Sequence, residues 1–441
     1  MNYRSTRDAG SVVSLSRALE AGIAADGGLY VPERLPTLHM RNLESSASLV
    51  EVAESVLAPF FDGDELAPSL PSILGEAFNF PAPLRAVAAG REKLSVLELF
   101  HGPTAAFKDF GARFLAACLA RIPRREPRPL TILVATSGDT GGAVAAAFHR
   151  RAGFRVVLLF PAGKVSPIQE RQLTCWGDNV RSFAVRGTFD DCQRLVKRAF
   201  GDPWLAELMK LGSANSINVG RLLPQMTYFA AASLEIHRKD GGTASFVIPS
   251  GNLGHAVACI WARELGLPIG DIILAHNANR TVPDYLQTGE WRPRPSTTTL
   301  ATAMDVGDPS NMERLGALYG DHACMTARLR AVSVGDDEIR ASIRREFRES
   351  GLTLCPHGAV AAHVYRQLKG EDRRRNHWVL TATAHPAKFP EVVEPLIGEP
   401  IERPPQLSQL LGRNTDCEEA EAHYESLRDQ LLETCHRLEY T

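Results

Sequence analysis

Charge of one sign, long apolar runs and paired cysteines are all scarce in this sequence. Basic and acidic residues number 49 and 51, whereas a nucleic-acid-binding domain needs a basic excess. No apolar run approaches the roughly 20 residues of a membrane-spanning helix, and residues 1–7 lack the apolar segment that a signal peptide requires. We therefore expect a cytoplasmic protein that binds neither nucleic acid nor a membrane.

The eight cysteines include no C-x-x-C pair. A chain of 441 residues buries enough surface to be stable without disulfides, so we expect reduced thiols. His101, His357 and His385 do not have the spacing of metal ligands, and we expect no metal. The sequence is compatible with a monomer or a homodimer.

From about residue 96 the sequence alternates between strands, glycine-rich turns and helices. A predicted buried strand at 131–135 leads through the turn 137–142 to a predicted helix at 143–150, and residues 246–265 repeat this order. Strands that alternate with helices form parallel sheets with helices on both faces. Ligands of such sheets bind at the carboxyl ends of the strands, where these turns lie.

Changes of pattern divide the chain into three predicted regions. The first is mostly helical with a short strand at 29–31, and the C-terminal tail from about 403 contains an acidic helix at 416–424. The regions are an N-terminal extension of residues 1–95, a smaller α/β domain of residues 96–230, and a larger α/β domain of residues 231–441 that includes the tail.

Lys108 lies between Phe107 and Phe110 in the apolar segment 100–111. Its side chain could extend along the protein surface and reach water with its amine. Alternatively, the amine is desolvated, which lowers its pKa and suits it to form a Schiff base. This segment alone does not decide between the two.

Two glycine-rich turns are candidate anion sites. Residues 250–254, Ser-Gly-Asn-Leu-Gly, lie between a predicted strand and a predicted helix, so backbone N–H groups and the helix N-terminus favour a phosphate. The turn is neither a P-loop nor a G-x-G-x-x-G motif. In the second turn, 137–142, Ser137 or Asp139 either contacts an anion or caps the helix. The alternative for both is an ordinary strand-to-helix turn.

Together these features indicate a particular cofactor. A lysine amine and a phosphate site are the two attachments that pyridoxal phosphate needs. A second anion-binding turn then indicates that the substrate is itself anionic. The sequence therefore predicts an enzyme that loads pyridoxal phosphate and acts on a small anionic molecule.

Several segments of the chain resemble the threonine synthases. The lysine segment 100–111 does so most closely, and the others follow in one order from about residue 3 to about residue 395. Many motifs in one order are more specific than any single motif, whereas the tail beyond 400 carries no matching motif. The other segments are 26–32, 136–141, 161–169, 213–218, 250–254, 303–306 and 383–389.

The resemblance implies the tryptophan-synthase-β-like class of fold (fold type II), with two parallel or mixed open-sheet α/β domains and an N-terminal extension. It implies pyridoxal 5'-phosphate bound as a Schiff base to Lys108, with Thr383 facing the pyridine nitrogen. A hydroxyl does not hold a proton on that nitrogen as a carboxylate does, so the ring is a milder electron sink. The implied phosphate ligands are Ser250, Gly251, Asn252, Leu253 and Gly254.

The activity implied is the last step of threonine biosynthesis, in which O-phospho-L-homoserine and water give L-threonine and phosphate by γ-elimination and β-hydration. Lys108 would be the main acid and base. Arg221 is either a ligand of the substrate phosphate or part of a surface salt bridge at a helix start. The expected substrate contacts are Thr104, Ser137, Asp139, Thr140, Lys164, Asn215 and Arg221.

The sequence departs from the family pattern after the loop asparagine, where Phe-Gly-Asp is usual and Leu253, Gly254 and His255 stand here. Cys259 also replaces a usual glycine. Backbone donors survive the change to leucine, and His255 at a helix start could add positive character. The alternatives are a related threonine or serine dehydratase, an amino-alcohol phospho-lyase, or a non-catalytic protein that carries the cofactor; an intact Lys108 argues against the last.

Overall fold

The structure, a computed structural model, describes residues 1–39, 43, 48–87, 93–123 and 128–437. Strands within these ranges form three sheets. Their bounds are β1 Tyr3–Ser5, β2 Val12–Val13, β3 Tyr30–Pro32, β4 Leu84–Val87, β5 Leu94–Glu98, β6 Leu130–Ala135, β7 Phe154–Pro161, β8 Val180–Arg186, β9 Lys210–Gly212, β10 Ala244–Pro249, β11 Ile269–His276, β12 Arg330–Ser333, β13 His377–Ala382 and β14 Glu418–Glu421.

Helices connect most of these strands and cover the two larger sheets. Short 3-10 helices occur at Ala67–Ser69, Val219–Arg221, Thr302–Met304 and Pro386–Lys388. The α-helices are α1 Leu15–Ala21, α2 Leu49–Phe61, α3 Leu70–Ala77, α4 Lys108–Arg121, α5 Asp139–Phe148, α6 Pro167–Thr174, α7 Phe189–Phe200, α8 Pro203–Leu208, α9 Gln225–Asp240, α10 Gly254–Glu264, α11 Thr281–Thr288, α12 Met312–Tyr319, α13 His322–Thr326, α14 Asp336–Ser350, α15 Pro356–Gln367, α16 Gly370–Arg375, α17 Pro390–Ile397, α18 Pro405–Leu411 and α19 Tyr424–Arg437.

The larger sheet has the strand order β12-β11-β10-β13-β5-β4 in the described chain. Its strands pair in parallel except β4, which runs antiparallel to β5. Every residue of β10 is buried, as expected for a central parallel strand covered on both faces. The turn 250–254 and Thr383 follow β10 and β13, which are neighbours, so both lie at the carboxyl edge of this sheet.

The smaller sheet has the order β14-β8-β7-β6-β9 in the same ranges, and all of its pairings are parallel. The turn 137–140 follows β6, so it also lies at a carboxyl edge. Helix α5 begins at Asp139 and not at the predicted residue 143. Gly138 makes this early start possible, because its φ of 131° is a conformation that other residues rarely adopt.

The N-terminal region contains more strand than the sequence pattern predicts. The predicted strand near 29–31 is confirmed as β3, but it is the edge of an antiparallel sheet in which β1 pairs with β3 and β2 pairs with β1. Both partners are only two or three residues long, so they are too short to show a period of two. Tertiary pairing therefore creates strands that the local pattern could not reveal.

The predicted acidic helix at 416–424 is wrong. Residues 418–421 form β14, which pairs with the edge strand β8 of the smaller sheet. Arg186 of β8 contacts both Glu419 and Glu421, and Ala420 between them is buried. The tail thus returns to the smaller sheet, and we propose that the two domains are divided by sheet membership and not at one point in the chain. In the described residues no helix is long and apolar enough to cross a membrane.

Arg314 of α12 connects the N-terminal sheet to the rest of the molecule. Its guanidinium is fully buried and donates to the carbonyl oxygens of Tyr30 (3.0 and 3.1 Å), Ser216 (3.1 Å) and Ile217 (2.6 Å). It also contacts the side-chain oxygen of Asn311. One buried side chain therefore holds β3, the 216–217 segment and the start of α12 together.

We predict that Arg314→Met lowers the free energy of unfolding by at least about 3 kcal/mol, because a buried acceptor that loses its donor costs roughly 1–3 kcal/mol. Urea unfolding of the purified variant measures this loss. Arg340→Met is the control, since Arg340 contacts only the exposed Asp337 and such surface pairs contribute about 0–1 kcal/mol. Equal losses in the two variants would contradict the connecting role of Arg314.

Candidate active site

A short antiparallel contact joins the lysine segment to the end of β13. Ala106 and Ala384 form a β-bridge, and the N–H of Phe107 donates to the carbonyl oxygen of Thr383 at 2.8 Å. We call this contact, formed by residues 105–107 and 383–385, the lysine clasp. It places Lys108, at the start of α4, and Thr383 on the lining of one cavity.

The amine of Lys108 lies inside this cavity. Its Nζ donates to Thr140 Oγ1 at 2.9 Å and is 5.2 Å from the centre of the Phe107 ring. Burial, together with the charges of Arg221 and Lys388, lowers the pKa of Lys108 to about 8, and the charge of Asp139 opposes the shift. The structure therefore favours the desolvated amine over the alternative in which the side chain reaches surface water.

The turn 250–254 forms a concave wall of the same cavity. A Cβ on Gly251 would lie 2.8 Å from the Cα of Met304, so only glycine fits there. Asn252 is fixed through Nδ2, which donates to Ser216 Oγ at 2.7 Å, and through Oδ1, which accepts from the N–H of Ser310 at 2.6 Å. The first N–H groups of α10, which begins at Gly254, have no acceptor within the helix and suit a phosphate.

In the turn after β6, neither Ser137 nor Asp139 caps helix α5, as the sequence analysis had considered; Thr136 binds the backbone N–H groups instead. Thr136 Oγ1 accepts from the N–H groups of Gly138 (3.0 Å) and Gly141 (2.8 Å), whereas the side chains of Ser137 and Asp139 do not cap α5. Ser137 is partly exposed at this turn. Its hydroxyl is consequently available for a ligand at the carboxyl edge of the smaller sheet.

Asp139 forms a buried ion pair that sequence reasoning missed. Its Oδ1 is 2.7 Å from Lys388 Nζ and accepts from Gln169 Nε2 at 2.9 Å. Burial raises the pKa of Asp139, but the charges of Lys388 and His357 and the two hydrogen bonds outweigh it, and the pKa falls to about 2. Lys388 belongs to the 383–389 motif, but no signal in the sequence pointed to its partner on α5.

Arg221 is a buried residue, which excludes the surface salt bridge that the sequence left open. Its side chain donates to the carbonyl oxygen of Ala214, and its Nε has no hydrogen-bond partner in the part of the chain that the structure describes. Burial lowers the pKa of Arg221 to about 10, so the guanidinium keeps its charge near neutral pH. Arg221 lines the cavity that Lys108 lines, so it can meet an anion there.

Three other predicted substrate residues, Asn215, Thr104 and Lys164, are not among the residues that line the cavity. Asn215 donates to the carbonyl oxygen of Ala135 at 2.8 Å and is partly exposed. Thr104 is fully buried, and its hydroxyl donates to Asp109 at 2.7 Å. Lys164 lies apart from these residues and is exposed. The structure thus brings most of the predicted residues to one region and leaves Lys164 at the surface.

Two histidines on the cavity lining are neutral. Burial lowers the pKa of His255 to about 3, so His255 does not add the positive character expected at a helix start. Its Nδ1 is 2.8 Å from the hydroxyl of Tyr228. His357 Nε2 accepts from the N–H of Ala303 at 3.1 Å, and burial lowers its pKa to about 4. Ser216 and Met304, from the motifs 213–218 and 303–306, also line the cavity, as do Gln225 and Pro249, to which the sequence analysis gave no site role.

Sequence profiles of known families match nearly the whole chain. The profile described as "Pyridoxal-phosphate dependent enzyme" covers residues 79–384, and "Threonine synthase N terminus" covers residues 2–78. The threonine synthase of Haemophilus influenzae is 38% identical over 98% of this chain and 100% of its own, and that of Escherichia coli is 40% identical over 93% and 94%. The chain belongs to the threonine synthase family.

Solved structures of the family agree with this assignment. The Escherichia coli threonine synthase has a TM-score of 0.90 and 37% identity, covering 98% of this chain and all of its own. The pyridoxal-phosphate-bound threonine synthase of Brucella melitensis has a TM-score of 0.88 and 34% identity over 98% and 99%. The fold type II class and the pyridoxal phosphate cofactor predicted from the sequence are confirmed.

The C-terminal tail also belongs to the family, contrary to the sequence analysis. The profile described as "Threonine synthase, C-terminal" covers residues 358–431. The residues around the cavity fit the cofactor, since Gly251 provides the space that a phosphate needs and Lys108 provides the amine. In the described chain no cluster of three or more His, Cys, Asp or Glu residues is placed to hold a metal ion.

We predict that Gly251→Ala destabilises the protein by about 1–3 kcal/mol, because the added Cβ overlaps the Met304 backbone. Gly254→Ala on the same loop is the matched control, since its Cβ would meet Ser216 Cβ at 3.3 Å and Asn311 Nδ2 at 3.5 Å. Thermal unfolding of both variants, with and without pyridoxal phosphate, checks the difference. A Gly251→Ala variant as stable as Gly254→Ala would show that the loop has more space than the structure gives it.

Proposed function

We propose that this protein converts O-phospho-L-homoserine and water to L-threonine and phosphate. The observation that carries the proposal is the cavity itself, which has the Lys108 amine, a turn suited to phosphate and a buried Arg221 with an unused donor on its lining. Family membership over nearly the full length supports the same reaction. We place the enzyme in the cytoplasm.

Lys108 holds the cofactor covalently, and its nitrogen moves the protons. Pyridoxal phosphate, when bound, draws electrons away from the α carbon of the substrate. The amine of Lys108 then takes the α proton and returns it at the end of the cycle, which its pKa of about 8 makes feasible near neutral pH. Thr140 Oγ1, 2.9 Å from Nζ, orients the amine.

The turn 250–254 would hold the cofactor phosphate through its backbone N–H groups, and Thr383, which the lysine clasp brings to the same cavity, would supply a hydroxyl to the pyridine nitrogen. A hydroxyl would not hold a proton on that nitrogen as a carboxylate would. The cofactor would then be a milder electron sink, which suits elimination at the γ carbon.

On the substrate side, Ser137, Thr140 and Asn215 contact the anionic groups, and Arg221 binds the phosphate. A guanidinium can donate two parallel hydrogen bonds to one phosphate, and Arg221 is charged and buried, with Nε unused. Asp139 contributes to the site through its ion pair with Lys388 and not through a direct contact with an anion, because its carboxylate is itself negative. Thr104 supports the site through its bond to Asp109, and exposed Lys164 contributes to the field around the entrance.

A threonine or serine dehydratase is the second candidate. The fold is compatible with it, since a threonine deaminase has a TM-score of 0.53 at 17% identity. A dehydratase substrate has no phosphate, however, and would leave the buried Nε of Arg221 without the phosphate acceptor that the proposal gives it. Arg221 therefore favours the phosphorylated substrate.

Steady-state assays decide between the two candidates. We expect the purified protein, loaded with pyridoxal phosphate, to release phosphate from O-phospho-L-homoserine and to form threonine in equal amounts. Threonine and serine are the comparison substrates, and keto-acid formation is their readout. Keto-acid production from threonine or serine without phosphate release from O-phosphohomoserine would establish the dehydratase instead.

We predict that Lys108→Ala abolishes turnover, because the variant loses both the covalent link and the main proton carrier. Borohydride reduction followed by peptide mass mapping should label Lys108 in the wild type and nothing in the variant. Lys164→Ala, which removes an exposed lysine that does not line the cavity, should keep the label. Labelling of another lysine in the wild-type protein would overturn the assignment of Lys108.

We predict that Arg221→Ala lowers kcat/KM at least about tenfold and leaves the cofactor content unchanged, because a hydrogen bond to a charged group contributes roughly 1.5–3 kcal/mol. Inorganic phosphate should inhibit the wild type competitively and the variant much less. Arg280→Ala, which removes only an exposed pair with Asp284, is the control. Loss of the cofactor from Arg221→Ala would mean that Arg221 binds the cofactor phosphate instead.

A further inference from the structure

The buried ion pair of Asp139 and Lys388 connects the segments that follow strands of the two larger sheets, and it lies beside the Lys108 amine. Asp139 begins α5, which follows a strand of the smaller sheet, and Lys388 ends the 3-10 helix after β13 of the larger sheet. Lys388 Nζ is 2.7 Å from Asp139 and donates to the carbonyl oxygen of Thr104 at 2.9 Å. Thr140, next to Asp139, accepts the hydrogen bond from Lys108.

The charges around the Lys108 amine come from several elements. The ionisable groups that face it are Asp139 on α5, Arg221 in the 219–221 helix, His255 on α10, His357 on α15 and Lys388. Both histidines are neutral because burial lowers their pKa values to about 3 and about 4. The field on Lys108 therefore depends on two cations and a single carboxylate.

Asp139 and Lys388 act on the Lys108 nitrogen in opposite directions. The carboxylate of Asp139 favours the protonated nitrogen, whereas the ammonium of Lys388 disfavours it. Without Lys388, Asp139 would be an unpaired carboxylate in a cavity that has to accept two phosphates. With Lys388 in contact, its positive charge opposes the effect of Asp139 on the Lys108 nitrogen.

We propose that Lys388 is a positioning residue that acts through Asp139: it neutralises the one carboxylate beside the cofactor lysine and so sets the protonation of the Lys108 nitrogen. The inference rests on the proposed function, in which Lys108 carries pyridoxal phosphate. It gives Lys388 a role that does not require contact with the cofactor or the substrate. It also gives Asp139 a role other than substrate binding.

The visible absorbance of the bound cofactor, titrated against pH, tests the proposal. Asp139→Asn leaves the charge of Lys388 unopposed, so the midpoint should fall by at least about one pH unit, as for a charge within a few ångströms. Lys388→Met leaves the charge of Asp139 unopposed, so the midpoint pH of the absorbance titration should rise. If Asp139 takes up a proton in this variant, the midpoint pH should equal that of the wild type. The double variant Asp139→Asn with Lys388→Met removes both charges and should titrate within a few tenths of a pH unit of the wild type.

A purely structural role predicts another pattern. Both single variants would then lose stability with no opposite effects on the titration, and the double variant would not recover the midpoint. Glu346→Gln is the control, because it breaks a buried ion pair with Arg366 on the far part of α15 and should leave the midpoint unchanged. An unshifted midpoint in Asp139→Asn, or an unrecovered one in the double variant, overturns the proposal. A wild-type protein without the absorbance band would instead contradict the proposed function.

Discussion

The lysine clasp is the contact on which the rest of the site depends. One β-bridge and two backbone hydrogen bonds connect the lysine segment to the end of β13: the N–H of Phe107 donates to Thr383 at 2.8 Å, and the N–H of His385 donates to Ala105 at 3.0 Å. The turn 250–254 follows β10, which pairs with β13. Two neighbouring strands of one sheet thus bring Lys108, Thr383 and the turn 250–254 to the lining of one cavity.

The ionisable side chains around the lysine clasp give the cavity a small excess of positive charge. Asp139 is paired, Arg221 is not, and the histidines are neutral. Burying an unpaired guanidinium is unfavourable for the empty protein. An anion bound beside Arg221 would remove this cost, so the buried guanidinium favours an anionic ligand in this cavity.

The parts of the fold that were predictable are those whose signal is local. The strands β6 and β10, their turns and the helices that follow could be predicted from short periodic segments. The roles of Lys108 and residues 250–254 could be predicted only from their combination and from the family resemblance. The ion-pair partner of Asp139 could not be predicted, because Lys388 is distant in sequence and lies in the 3-10 helix that follows β13 of the larger sheet. The strand β14 was mistaken for a helix because its sequence, Glu-Glu-Ala-Glu, does not show the alternation of polar and apolar residues typical of a strand. Its pairing depends on Arg186 of β8, which contacts Glu419 and Glu421 and is distant in sequence. His255 was misjudged because its burial against Tyr228 comes from tertiary packing.

The tail strand β14 has a consequence for the order in which the protein is made. It closes one edge of a sheet whose other strands lie between residues 130 and 212, so that edge stays unpaired until residues 418–421 have left the ribosome. An exposed strand edge invites pairing with other nascent chains. Arg186 on β8 and the glutamates on β14 give this edge charges of opposite sign, which favour the late-arriving partner from the same molecule over uncharged strands from others.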